Sequence, residues 1–292
     1  MRKFRFRGNK RRNRTPSQDR IPLRALAPNA ITSLAACAGM TSIAFSSEGR
    51  WIPALWALLL ACVCDGMDGR VARLLKASSK LGAELDSLAD FVNFGVAPAM
   101  FMFFWLTGGP AHLDADGARI AAPLVRMTLG ASLFYAMCDC FRLARFNTML
   151  EQPSLPYWKN YFLGVPAPGG CWMVLSPAVL SLALDAKGSA PALAAFLQNP
   201  YFGVCMLFLV GSLMASRLPT ISLKHLHISR GAMLPVMACV LLAVAFLASN
   251  FWLTIGVVGI GYIFTVPITC AFFGRARAKY ERLQPVPEKV QG

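Results

Sequence analysis

Four aspartates set at fixed intervals across the junction of two apolar runs constrain this chain more than any other feature. Asp65, Asp68, Gly69, Ala72 and Arg73 are followed after eight residues by Gly82, Asp86 and Asp90, which gives D-x-x-D-G-x-x-A-R-x8-G-x3-D-x3-D. Charge at the edge of apolar spans is costly, and carboxylates kept there are usually functional. On a helix Asp65, Asp68, Gly69 and Ala72 share one face, while Gly82, Asp86 and Asp90 share another. A hairpin centred near Ala77, in the polar segment from Lys76 to Lys80, sets Asp65 level with Asp90 and Asp68 level with Asp86. At about 1.5 Å per residue the deeper pair lies about 18 Å from the turn and the shallower about 13 Å. Like charges this close resist joint ionisation unless a cation neutralises them, and hard oxygen ligands suit Mg²⁺, Mn²⁺ or Ca²⁺ rather than Zn²⁺. The competing reading pairs the acids with Arg70, Arg73 and Lys80 in a polar helix hairpin.

The runs on either side are too apolar for a soluble domain: 56% of the 292 residues are hydrophobic, and the mean hydropathy is +0.50. The sequence therefore predicts an all-α integral membrane protein. A net charge of +15 would point to nucleic acid in a soluble chain. Here the basic residues lie at chain ends and in loops beside apolar spans, which is the pattern of membrane topology, and no nucleic-acid partner is expected. The nine cysteines are scattered through apolar runs without a CxxC pair, so they read as small buried hydrophobes rather than a disulfide or zinc framework.

Taken in order, residues 1–27 form a basic tail running into a short interfacial helix near Ile21 to Leu26, drawn to anionic membrane lipid. About eight transmembrane helices follow: 28–45, 51–75, 81–106, 120–146, 161–184, 200–216, 232–249 and 251–273, most of them near the roughly 20 residues that a span requires. Residues 28–274 are then the membrane domain and 275–292 a C-terminal tail. Alternate loops differ in basic residues: Lys76, Lys80, Arg142, Arg145, Lys159, Arg217, Lys224 and Arg230 fall on one side, and little beyond Arg50, Arg119 and Lys187 on the other. The positive-inside rule places both termini and the acidic motif on the cytoplasmic face of the cell membrane.

The motif resembles, without gap or substitution, the signature of the CDP-alcohol phosphotransferases. That resemblance implies a six-helix core, here with two further spans, a homodimer, and a groove for the cytidine diphosphate part of a CDP-linked alcohol. It also implies that Asp65, Asp68 and Asp86 hold a divalent cation, Mg²⁺ or Mn²⁺, and that Asp90 is the base and a further metal contact. Gly69, Ala72 and Gly82 leave room where helices and nucleotide approach, and Arg73 either meets the diphosphate or anchors the helix at the interface.

Three further stretches, Asp90 to Ala99, Arg142 to Asn147 and Ser216 to Lys224, are similar to the phosphatidylserine-forming branch of that family. The implied reaction transfers a phosphatidyl group from CDP-diacylglycerol to the hydroxyl of L-serine and releases CMP. Free serine brings a carboxylate and an ammonium, and each needs a partner when half-buried. Arg142 and Arg145 can offer forked donors to the carboxylate, Asp139 can receive the ammonium, and Asn93 lies in the same stretch as Asp90. The alternative leaves Asp139, Arg142 and Arg145 as an intrahelical ion pair with a topology anchor. Rival functions are a family member that uses glycerol 3-phosphate or inositol phosphate as acceptor, and a cation transporter that uses its intramembrane acids.

Overall fold

A computed structural model describes residues 26–77, 79–108, 122–149, 161–216, 218–221 and 233–283. The expected interfacial helix near Ile21 lies almost wholly outside them, as do the N-terminal tail and residues 284–292. The chain begins with α1 (Leu26–Ser47) and α2 (Trp51–Leu74), joined by a tight turn in which Gly49 takes φ +73°. The face of α1 that turns inward carries Thr32, Ala35, Ala38, Gly39, Ser42 and Ser46. Small residues at this spacing bring two membrane helices into close contact, which matters in lipid because apolar burial alone gives helices no reason to associate.

The next span is continuous from residue 80 to 107 but is not uniform. It consists of α3 (Lys80–Asp90), a π-helical segment (Phe91–Val96) and α4 (Ala97–Thr107). The widened turns bring Asn93, Phe94 and Gly95 into the interior. A π segment loosens the regular backbone ladder, and here the Tyr135 hydroxyl donates to the Phe94 carbonyl at 2.9 Å. Tyr135 belongs to α5 (Ala122–Met149).

Beyond α5 the structure departs from the expected helix at 161–184. Residues Tyr161–Leu163 form a short strand, β1, paired antiparallel with β2 (Pro219–Ile221), and α6 starts only at Ala167. Gly164 takes φ +76° and Pro166 is extended, so the chain cannot turn helical earlier. Helix α6 (Ala167–Asp185) is buried along most of its length and forms the centre of the core, against Leu55, Phe101, Leu207 and Val210. It is followed by α7 (Pro191–Leu197), α8 (Pro200–Ala215), α9 (Met233–Ser249) and α10 (Phe251–Leu283).

Apart from the β1–β2 ladder the regular elements among the described residues are helical. Among the described residues six helices are long and apolar enough to cross a membrane, and α7 with α8, bent by 57°, makes a seventh crossing if counted together. The seventh expected span, 232–249, is α9, which has 17 residues, about 26 Å at 1.5 Å per residue against a hydrocarbon thickness of about 30 Å. The last helix runs ten residues past the expected end at Phe273.

Candidate metal and nucleotide site

Helix α2 ends at Leu74, and the backbone closes the turn through Ala77 N–H donating to the Ala72 carbonyl at 2.9 Å. Lys76 adopts φ +49°, and Ser79 then caps α3 by accepting from the Gly82 N–H at 3.0 Å. This local chemistry makes the hairpin that the spacing predicts. One carboxylate oxygen each from Asp65, Asp68 and Asp86 lie within 4.8 Å of one another. The side chains pair across the hairpin as expected, Asp68 with Asp86 and Asp65 with Asp90. Asp68 is 4% exposed and held from α1, where the Thr32 hydroxyl donates to its Oδ2 at 2.6 Å. Asp90 keeps one buried oxygen without a hydrogen-bond partner.

The ion pairs seen among the described residues, Arg50–Glu48 and Arg142–Asp139, leave these acids uncompensated. Three hard oxygen donors at this separation fit a divalent cation such as Mg²⁺ or Mn²⁺. Arg73, proposed from sequence as a neutralising charge, is exposed and donates its Nε to the Gly69 carbonyl at 3.0 Å.

A cavity of about 170 Å³ opens beside the acids, lined by α1, α2 and α3. Gly69, Ala72 and Gly82 all border it, yet the two glycines act differently. A Cβ on Gly69 would meet nothing within 4 Å, so this glycine keeps the cavity open. A Cβ on Gly82 would lie 2.9 Å from Asn29 Oδ1 and 3.1 Å from Ser79 Oγ, so this one allows α3 to approach the first turn of α1. Sequence reasoning missed Pro28, Asn29, Thr32 and Ser79, which also line the cavity. The Pro28-Asn29 pair reads in isolation as a helix start, and only the fold brings it beside residues 39 to 58 positions later.

The residues expected at an acceptor site separate into two groups. Asp139 is fully buried, and neither of its oxygens has a hydrogen bond; Arg142 faces it with Nη1 at 3.7 Å from Oδ1. Arg142 also donates Nε to the Val165 carbonyl at 2.8 Å. Gly95 makes room for this acid, since a Cβ there would stand 2.8 Å from Asp139 Oδ2. Asn93 is fully buried against α1 with both amide atoms unpartnered. Arg145 points elsewhere: its Nη1 and Nη2 donate to the carbonyls of Ala215 and Ser216, each at 2.9 Å, and tie α5 to the end of α8.

Residues 25–210 match the family described as CDP-alcohol phosphatidyltransferase. Proteins named CDP-diacylglycerol–serine O-phosphatidyltransferase are similar to this chain in several organisms. The one from Mycobacterium leprae is 40% identical over 162 residues, which is 54% of this chain and 48% of that protein. The one from Helicobacter pylori J99 is 35% identical over 162 residues, 56% of this chain and 59% of that protein. The Bacillus subtilis protein is 34% identical over 142 residues, 47% of this chain and 69% of that protein. The chain thus spans about half the length of the mycobacterial relatives it matches.

Proposed function

The chain belongs to the CDP-alcohol phosphatidyltransferase family, and on that premise we propose that it is a phosphatidylserine synthase, transferring the phosphatidyl group of CDP-diacylglycerol to the hydroxyl of L-serine. The observation that carries this reading is the meeting of Asp65, Asp68 and Asp86 across the α2–α3 hairpin, beside a cavity that Gly69 keeps open. The relatives named for this reaction support serine as acceptor.

In this reading Asp65, Asp68 and Asp86, with Asp90 adjoining, would hold Mg²⁺ or Mn²⁺, which when bound supplies positive charge to the diphosphate and the departing CMP. Gly69, Ala72 and Gly82 shape the nucleotide cavity, and Arg73 reaches the diphosphate from the mouth. Thr32 fixes the rotamer of Asp68, so the carboxylates are set before the donor arrives. Asp90, one of whose oxygens has no hydrogen-bond partner, takes the proton of the serine hydroxyl as the serine oxygen bonds to the phosphorus carrying the diacylglycerol, and the bond from that phosphorus to the CMP oxygen breaks.

Serine presents two charges, and the buried Asp139–Arg142 pair offers the complementary two. Asn93 supplies an amide on the neighbouring π segment. Arg145 is placed by its two carbonyl contacts as a support of α8 rather than as a serine ligand. With α9 as the remaining crossing, the chain has eight passes, the membrane domain occupies 28–274, and both tails and the acids face the cytoplasm. The N-terminal basic residues favour anionic lipid, and the family resemblance favours a homodimer.

Purified protein with CDP-diacylglycerol and Mg²⁺ or Mn²⁺ should release CMP when serine is added. Release only with glycerol 3-phosphate or inositol phosphate would reassign the acceptor. Ion flux without CMP release would favour a transporter.

A further inference from the structure

The π segment is met from α5 at two successive residues. The Tyr135 hydroxyl donates to the Phe94 carbonyl at 2.9 Å, and the next residue, Gly95, faces the Asp139 carboxylate so closely that a Cβ would stand 2.8 Å from its Oδ2. Tyr135, Asp139 and Arg142 follow one another at i, i+4 and i+7, so they line one face of α5. Tyr135 and Phe94 are 0% and 1% exposed. At that depth bulk water does not stand in for the hydroxyl, and a buried acceptor left without its donor is costly. The stretch that Tyr135 ties down also departs from the ordinary helical ladder, since the Ala97 N–H donates to the Val92 carbonyl five residues back. Single π turns of this kind are frequent at functional sites.

Asp139 has no hydrogen bond of its own to fix it. Both carboxylate oxygens are unpartnered, and Arg142 Nη1 stands 3.7 Å from Oδ1, within ion-pair range but beyond a hydrogen bond. The acid is confined instead by the surface opposite, the backbone at Gly95 and the ring of Phe91, whose Cδ2 would lie 3.0 Å from the same Cβ. Arg142, by contrast, is anchored through its Nε, which donates to the Val165 carbonyl at 2.8 Å. The geometry of the pair therefore depends on where the π segment sits. The Tyr135 hydroxyl, one helical turn from Asp139, fixes that seat.

We propose that Tyr135 is a positioning residue for the acceptor: by holding the Phe94 carbonyl it seats Gly95 against Asp139, and so keeps the Asp139–Arg142 pair aligned with the ammonium and carboxylate of serine. The proposal rests on the reading of that pair as the serine site. The donor side is held separately, by Thr32 on Asp68 and by Ser79 at the start of α3. Loss of the Tyr135 hydroxyl is thus felt by serine and not by CDP-diacylglycerol.

The test is Tyr135→Phe, which removes only the hydroxyl. Its Michaelis constant for serine should rise about three- to tenfold, the worth of one hydrogen bond, while the constant for CDP-diacylglycerol and the thermal stabilisation by CMP with Mg²⁺ stay as in the wild type. Gly95→Ala pushes on Asp139 directly and leaves the hydroxyl in place. It should raise the serine constant as well, and the double variant should show less than the product of the two effects, because both act through one carboxylate. A normal serine constant in Tyr135→Phe, or equal rises for both substrates with a lowered melting temperature, would overturn the role and leave Tyr135 a packing residue. Arg142→Lys separates that failure from failure of the serine site: a raised serine constant there, with a normal one in Tyr135→Phe, removes the positioning role alone. Normal constants in both variants remove the site and the role together. If the wild type uses another acceptor, the constants for that acceptor decide the role in the same way. If it releases no CMP with any, thermal stabilisation by serine in the presence of CMP and Mg²⁺ takes their place, and its absence, or its persistence in Tyr135→Phe, overturns the proposal.

Discussion

Two groups of carboxylates, the first half-buried around the buried Asp68 and the second fully buried, lie next to each other in this molecule and answer the same problem differently. Asp65, Asp68 and Asp86 gather like charges without a side-chain cation, whereas Asp139 sits fully buried opposite Arg142. The first group is incomplete as a protein structure and calls for positive charge from outside. The second is neutral as a pair, though its hydrogen bonding is left unmet. Burial alone therefore does not distinguish a cation site from an internal ion pair; the sign of what faces the carboxylate does.

The largest test of that contrast is to remove charge from each group. Asp65→Asn, Asp68→Asn and Asp86→Asn should each reduce CMP release by at least about 100-fold, since groups that stabilise transferring charge commonly contribute that much. Unfolding temperature should hold steady or rise, because a like-charge repulsion is relieved. Asp139→Asn should do the reverse to stability: it strands Arg142 in the core, a loss of roughly 3–5 kcal/mol for breaking a buried pair. Parallel thermal melts and activity assays of the four variants read both effects, and equal destabilisation in all four would erase the distinction.

Next in size are the two glycines. Gly69→Leu should block binding of CDP-diacylglycerol while the protein melts normally, because its side chain enters open space. Gly82→Leu should fail in both, since it strikes Asn29 and Ser79. Normal donor affinity in a folded Gly69→Leu protein would show that the cavity is not the nucleotide site.

The arginines sharpen the comparison further. Arg142→Lys keeps the charge but loses the fork, and should raise the Michaelis constant for serine about ten- to a hundredfold, the worth of one charge-assisted contact of about 1.5–3 kcal/mol. The constant for CDP-diacylglycerol should barely move. Arg145→Lys should instead lower the melting temperature by a few degrees through its lost carbonyl bonds, with serine kinetics intact. A serine defect in Arg145→Lys and none in Arg142→Lys would reverse the assignment of the two.

The smallest effect concerns the basic N-terminal tail. Removing residues 1–20 should weaken dependence of activity on anionic vesicles, measured against neutral ones, with the protein still inserted. Identical behaviour on both vesicle types in the full chain would leave the tail only a topological role.

How far the sequence reveals this arrangement follows from distance along the chain. The acid hairpin is legible because its partners are 18 to 25 residues apart and joined by one turn, so helical spacing nearly determines the geometry. Thr32 and Asn29 are not legible, because their place beside Asp68 and Gly82 depends on how α1 packs against the hairpin. Arg142 and Arg145 look equivalent on their helix. They diverge because the carbonyls that take Arg145 arrive from some 70 residues later. The late start of α6 depends likewise on pairing between β1 and β2 across more than fifty residues. The shortness of α9 could be counted in the sequence, but an apolar run near 18 residues does not say whether it crosses.

The π segment after Asp90 sets a phase. Each residue advances an α-helix by about 100°, so the additional residue accommodated in a widened turn changes the direction of everything that follows. Upstream, Asp86 and Asp90 face α2; within the segment, Asn93 meets α1 and Gly95 admits Asp139 from α5. One helix thereby addresses three neighbours that a regular helix of the same composition could not reach together. Chain length through residues 91–96 is consequently constrained as well as the identity of Gly95. Deleting a single residue there would leave every acid in place and turn the rest of the span away from it.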